Sequence, residues 1–230
     1  SLISIIIFKT CNLNPAITGL LEIFAIVGIY LGIVNLVPFK IINNDGANIF
    51  YLKNDLEERK ALHKILNDEV DLINGKEVEG NTINIDEVDL SKTFIQGLFI
   101  NKMEDRFYKM EFEEAKFIGE NLLEKAKMNM TFEFMVKITL STIYLLEENH
   151  EKTNEFLKDK SLRKYLKNKF VLHIEILNYA KERILEGKDG KKFIKRIEKM
   201  KDKYIYPSHM KAAFEIMDKI DEVADRKSIK

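Results

Sequence analysis

Few residues in this chain are of types that do chemistry, and their spacing narrows them further. Four histidines, His63, His150, His173 and His209, and a single cysteine, Cys11, are spread over 230 residues. A zinc-binding helix of the His-Glu-x-x-His type needs its two imidazoles four residues apart, so that both reach one ion from one helix face. The stretch His150-Glu151-Lys152-Thr153-Asn154 begins that way but sets Asn154, a poor zinc ligand, where the second imidazole must stand. We read it as a coincidence within a charged helix. Neither a nucleophile elbow, nor a phosphate-cradling glycine loop, nor a paired-cysteine metal motif occurs. A lone cysteine excludes an internal disulfide framework and fits a domain kept in a reducing compartment. What remains is a polar constellation at the end of an apolar run: Asn35, Pro38 and then Asp45-Gly46. By residue type alone, Asn44-Asp45-Gly46 is also an ordinary turn.

The element that must position this constellation is the apolar run itself. From Ala16 to Phe39, Glu22 is the only charge in 24 residues. At about 1.5 Å per residue a helix of that length spans roughly 36 Å, enough to cross a hydrocarbon core about 30 Å thick. Ahead of it, Leu2 to Phe8 is a shorter apolar run that reads as the tail of another membrane helix. No basic region precedes these runs, as a secretory signal would require. A buried hairpin in a soluble core is the alternative reading, but so long a stretch without charge favours insertion. Glu22 is expected to face protein or the interface, where an ionised carboxylate costs less than at the bilayer centre. Because the chain opens on Ser1, an upstream portion is expected.

The order of these features resembles a known family. Gly32-Ile33-Val34-Asn35-Leu36-Val37-Pro38-Phe39 closes the span, Asp45-Gly46 comes after Lys40 to Asn44, and another apolar patch runs from Ile49 to Leu52. Site-2 protease-type intramembrane zinc metallopeptidases carry an Asn-x-x-Pro followed by Asp-Gly near the membrane surface. The resemblance implies that Asp45 is a zinc-binding carboxylate, that Asn35 holds the substrate strand, and that Pro38 and Gly46 shape the backbone. It also implies zinc as cofactor, peptide-bond hydrolysis in or near the membrane, and a peptide or membrane-protein substrate. A catalytic zinc takes three protein ligands and holds a water whose pKa falls to about 7. In the family the other two ligands and the general base lie on a His-Glu-x-x-His helix, which this sequence lacks, and the stretch between Pro38 and Asp45 is longer than the pattern. The chain as given cannot complete the zinc site and is expected to be a C-terminal portion, inactive in isolation.

The rest of the chain has a different composition. Residues 1–52 hold two basic and two acidic residues, leaving 35 of each sign for residues 53–230. With a formal net charge of zero there is no long-range field to draw in nucleic acid, whose binding depends on neutralised phosphates. Beyond Lys53 the apolar residues recur at three and four positions, as in Leu56, Leu62, Ile65 and Leu66, which predicts amphipathic helix. Lys76 to Asp89 is expected to be loop or short extended segment, and helix resumes near Ser91. Polar breaks near Lys109 to Glu111, Asn149 to His150 and Gly187 to Gly190 place Ala115, Thr153 and Phe193 at equivalent points, 38 and 40 residues apart. That is the period of stacked helical hairpins, although an irregular bundle fits as well.

The dense set Phe94, Phe99, Phe107, Phe112, Phe117, Phe132 and Phe134 is read as core. Lys188 to Lys203, rich in lysine but with Phe193, Ile194, Ile197 and Met200 at helical spacing, is read as a solvated helix face. Tyr204 and Tyr206 are expected to be exposed in a loop before a last helix capped by Ser208. The fold class is therefore all-α: an N-terminal transmembrane segment, residues 1–52, then a soluble, helical-repeat-like domain, residues 53–230. The expected setting is a bacterial cell membrane, multi-pass, with the charged domain cytoplasmic. The expected partners are the lipid bilayer and a cytoplasmic protein. A membrane-anchored adaptor without chemistry, using Asp45-Gly46 only as a turn, is the competing function.

Overall fold

The computed structural model describes Ile6, residues 14–37, Ile49, residues 52–76, Val78 and residues 84–228. Among these residues every regular element is a helix and none is a strand. The chain divides into two compact units, Ser1–Arg59 and Lys60–Lys230.

The first unit contains α1, Pro15–Leu36. Asn14 opens it by accepting the Ala16 amide at 3.0 Å, and Pro15 occupies the first helical position, where its missing N–H costs nothing. The helix stops at Val37, whose backbone is extended (φ −77°, ψ 122°), the conformation a following proline imposes on its neighbour. Its surface is apolar on every side. Ile23, Phe24, Ile26 and Val27 cover more than a full turn and are all exposed, Ile26 by 67 %. Ala25 alone is buried.

Around one fully enclosed helix, the second unit is built from helices that hide one face each. Helix α2, Leu56–Ile73, starts at the end of the first unit and runs into the second, and Asp55 caps its first turn by accepting the amides of Glu57 and Glu58. A short 3-10 turn, Ile85–Glu87, lies within the stretch read as loop. Three helical hairpins come next: α3, Thr93–Tyr108, with α4, Phe112–Lys125; α5, Met130–Leu146, with α6, His150–Leu157; and α8, Leu172–Ala180, with α9, Lys191–Met200. The short α7, Lys160–Tyr165, and the last helix α10, Pro207–Ser228, complete the unit.

The first two hairpins turn in the same way. Met110 and Glu148 both take the left-handed conformation at φ 59°, and the next amide reaches back to a carbonyl of the last turn, Glu111 to Arg106 and Asn149 to Tyr144. This is the Schellman closure, usually a glycine's place. At the third turn Gly187 and Gly190 supply the positive φ, after α8 has run on through a π-helical turn, Lys181–Leu185. Ala115 and Thr153 are completely buried and Phe193 nearly so, each early in the second helix of its hairpin.

Helix α5 is the centre of the unit. Residues 138–145 are all buried, and the Thr142 hydroxyl donates back to the Ile138 carbonyl, satisfying itself within the helix. Where α4 crosses it, a Cβ on Gly119 would stand 2.9 Å from Leu140 and 3.1 Å from Met103, so the absence of a side chain is what lets α3, α4 and α5 meet.

Two local expectations are corrected. Ser208 does not cap the last helix, because Pro207 already occupies its first turn. Tyr204 and Tyr206 are half-buried rather than exposed, since Tyr206 packs against His209 and Tyr204 against the core. Of the phenylalanines read as core, Phe99, Phe107 and Phe134 are buried, Phe94, Phe112 and Phe132 pack partly exposed against them, and Phe117 is 52 % exposed.

Candidate functional site

Of the residues singled out in the apolar end, Asn35 lies on the last turn of α1 with its side chain exposed. Pro38, Asp45, Gly46 and Cys11 lie outside the described residues. The histidines are dispersed. His63 is exposed on α2, in contact with Asn67 at 3.1 Å, and His150 opens α6. The described residues contain no group of three metal-ligating side chains. Zinc therefore finds no ready site among them.

The structure instead gathers His173 and His209 with Tyr204 and Tyr206 and with two residues the sequence did not single out, Glu104 and Tyr108. Glu104 and Tyr108 stand one turn apart on α3, His173 is at the start of α8, His209 is in the first turn of α10, and Tyr204 and Tyr206 come from the loop before it. The Tyr108 and His209 rings stack at 4.1 Å, and the His173 ring meets Tyr108 edge-on at 5.2 Å. Glu104 Oε1 and His173 Nε2 face each other at 3.5 Å. Both side chains keep some exposed surface, but those two atoms have none and neither makes a hydrogen bond.

Burial sets the ionisation of this cluster. It disfavours charge whichever sign the group would carry, so Glu104 is pushed up to about 7 while His173 is pushed down to about 4. His209 also falls to about 4, first through burial and then through the neighbouring His173. Burial, with Tyr204 and Glu104 nearby, raises the Tyr108 hydroxyl well above its ordinary value. At neutral pH the site is thus two neutral imidazoles and a carboxyl near its midpoint. Such a set can hold or pass a proton, but it has no nucleophile aligned to a base. Its structural effect is to pin α3, α8 and α10 at one point.

One sequence signal for the cluster existed. Glu104 stands beside the apolar stripe Ile100, Met103 and Phe107, and a carboxylate at the edge of a buried stripe needs a polar neighbour. Which neighbour could not be read, because the imidazoles come from helices far along the chain.

Two open clefts border this region. One of about 440 Å³ is lined by Pro207, Met210 and Phe214, with Lys201, Lys211 and Asp218 on its rim. The other, of about 550 Å³, lies between Phe170 and the end of α9. No family model, curated protein or solved structure matches the chain.

Proposed function

We propose that this chain is a membrane-anchored helical docking protein, held in the bilayer by α1 and presenting its second unit to a protein partner. The observation that carries the reading is the all-round exposure of apolar side chains on α1. A helix that is apolar on every face has no stable place in water, and one of 22 residues is long enough to reach across a bilayer. The 440 Å³ cleft on α10 suits a peptide or helix of a partner, with Met210 and Phe214 as its apolar floor and charges of both signs at its edge. In this reading the charged unit faces the cytoplasm.

Alkaline carbonate extraction of membranes from expressing cells tests the anchor. The chain is expected to stay with the pellet, and Ile26→Arg with Ile29→Arg to release it. Recovery of the unaltered chain in the soluble fraction would sink the reading.

A second reading, a site-2 protease-type metallopeptidase, is favoured by the position of Asn35, exposed on the final turn of an apolar helix that stops just ahead of Pro38. In it Asp45 is a zinc ligand and the histidines come from sequence outside this chain. Asp45→Ala in the product of the complete gene separates the two. The protease reading requires loss of bound zinc and of cleavage, whereas the docking reading requires that neither changes.

A further inference from the structure

We propose that the face of the second unit formed by Phe170, Val171 and the end of α9 is a docking site for anionic lipid headgroups at a bilayer surface. The inference rests on the membrane-anchored reading for the nearness of that surface. Its own support is local, and it begins with an aromatic residue in a backbone conformation that disfavours it.

Phe170 takes the left-handed conformation at φ 63°, which a bulky L-residue adopts only at a cost in strain. Yet its side chain is 55 % exposed, and Val171 beside it is 39 % exposed, so the strain is not repaid by burying either of them. The conformation is enforced from behind. Glu175, with no exposed surface, accepts the Phe170 amide on Oε1 at 3.1 Å and the Arg196 guanidinium on Oε2 at 3.2 Å. One buried carboxylate thereby ties the Phe170 loop to α9 and fixes a ring pointing outward. Unlike Met110 and Glu148, Phe170 has a bulky ring held outward in this conformation, and a strained residue that its surroundings over-determine motivates a functional hypothesis.

The cleft beside that ring has an apolar floor and a cationic rim. Phe170, Met200 and Tyr204 line it together with Lys199 and Lys203, around about 550 Å³. The lysines of α9 divide along its length. At its start Lys191 pairs with Asp189 and Lys192 with Glu182. In its second half and just beyond it, Lys195, Lys199 and Lys203 are exposed and make no ion pair among the described residues, and the same holds for Lys167 and Lys169 just before Phe170. A helix C-terminus tolerates lysines through its dipole, but that does not account for an outward aromatic among them. Ile205, next to Tyr204, is a further exposed apolar tip at 59 %.

Unpaired lysines around protruding Phe, Val and Ile side chains are what an interfacial lipid contact needs: the cations meet headgroup phosphates and the apolar tips enter the acyl boundary. An acidic protein would satisfy the lysines alone. It is the separate apolar tips, in a chain carrying its own candidate span, that favour lipid.

The test uses the full chain with Cys11→Ser and Phe170→Cys, labelled with an environment-sensitive fluorophore and reconstituted into vesicles of phosphatidylcholine with or without phosphatidylglycerol. A probe at exposed Phe117, introduced as Phe117→Cys, is the control. A blue shift and quenching by acyl-chain quenchers is expected at position 170 only, and only when phosphatidylglycerol is present. The docking equilibrium read from quenching at position 170 should weaken on the order of fivefold for each of Lys199→Gln and Lys203→Gln, with the helical circular dichroism unchanged.

Equal signals in the two lipids, or signals indifferent to both lysine substitutions, would overturn the proposal. So would no quenching in vesicles with which the chain floats, an outcome that hands the face to a protein partner. Flotation through alkaline carbonate reports α1 separately. Loss of flotation with the 170 signal retained on added anionic vesicles defeats the anchor and leaves the docking site standing.

Discussion

Helices α1 and α5 are the two most apolar among the described helices, and they use that property in opposite ways. In α1 large side chains are exposed around the whole circumference, and the only charge is Glu22. In α5 residues 138–145 are buried on all sides, yet the helix carries Glu133 and Lys137 near its start and the hydroxyls Thr139, Ser141 and Thr142 within the buried stretch. Apolarity alone does not separate a bilayer span from a central core helix. What separates them is where the neighbours are. The second unit surrounds α5 with α3, α4, α6, α8 and α10, whereas the described part of the first unit leaves α1 to be covered by solvent or lipid.

The largest expected effect breaks this contrast directly. Leu140→Asp puts an unpaired carboxylate in the packed centre and removes a fully buried side chain. The cost is about 5 kcal/mol or more, comparable to the whole stability of many domains, so thermal unfolding followed by circular dichroism should show no folded second unit. Ile26→Asp on α1 should leave that unfolding transition in place and instead weaken bilayer insertion, by about 3 kcal/mol. If both substitutions abolished the transition, the division into an exposed apolar helix and a packed core would be wrong.

Glycines carry the same contrast at smaller scale. Gly190 has φ 64°, and a Cβ there would overlap the Tyr179 ring, whose hydroxyl is held by Asp221 at 2.7 Å. Asp221 also accepts from Arg183, so the ring cannot step aside without disturbing an ion pair between the π-helical turn and α10. Gly190→Ala should cost about 2–4 kcal/mol, read as a lowered midpoint in urea. Gly32 in α1 has open space around it, and Gly32→Ala should leave that midpoint unchanged.

Acid should discriminate next, through the Glu104 cluster. Between about pH 4.5 and 6.5 the folded state holds a proton on Glu104 and none on His173 or His209, while the unfolded state holds none on Glu104 and one on each imidazole. Unfolding therefore takes up a proton net, and stability falls as the pH drops through this window, by about 1.4 kcal/mol per pH unit from these three groups. Glu104→Gln removes the opposing contribution and should steepen that loss by about 1.4 kcal/mol per unit. Urea midpoints measured across the window in both proteins would check it. Equal slopes would mean that Glu104 ionises alike folded and unfolded.

These outcomes bear on how much of the molecule is legible in its sequence. Helix α1 was legible because one physical quantity, charge per length, changes abruptly in the sequence, but its bounds, read as Ala16 to Phe39, fall at Pro15 and Leu36, where the Asn14 cap and the extended Val37 ahead of Pro38 set them. The breaks of the three hairpins were legible from polar runs, but the turn geometry was not. Met110 and Glu148 occupy left-handed positions with no glycine or asparagine to announce them. The contact of Glu104 with His173, and the tethering of Phe170 by Glu175 and Arg196, join side chains from different helices. No periodicity encodes that kind of proximity, because it depends on how the hairpins stack. Asn35 lies on the last turn of α1, and what it does there depends on neighbours that no local pattern reveals.

The smallest expected effect compares the two helices at their first turns. Asn14 caps α1 through the Ala16 amide, and Asn129 caps α5 through the Phe132 amide, each at 3.0 Å. Replacing a capping asparagine by alanine typically costs about 1 kcal/mol, and Asn129→Ala should lower the stability of the second unit by that amount, because α5 is its central helix. Asn14→Ala should cost α1 less. Pro15 has already removed one orphan N–H from that end and fixes φ in the helical range, so fewer groups depend on the cap. The urea midpoint should move for Asn129→Ala and stay put for Asn14→Ala. Equal shifts would show that α1 contributes to the folding of the second unit and would dissolve the distinction between the two helices.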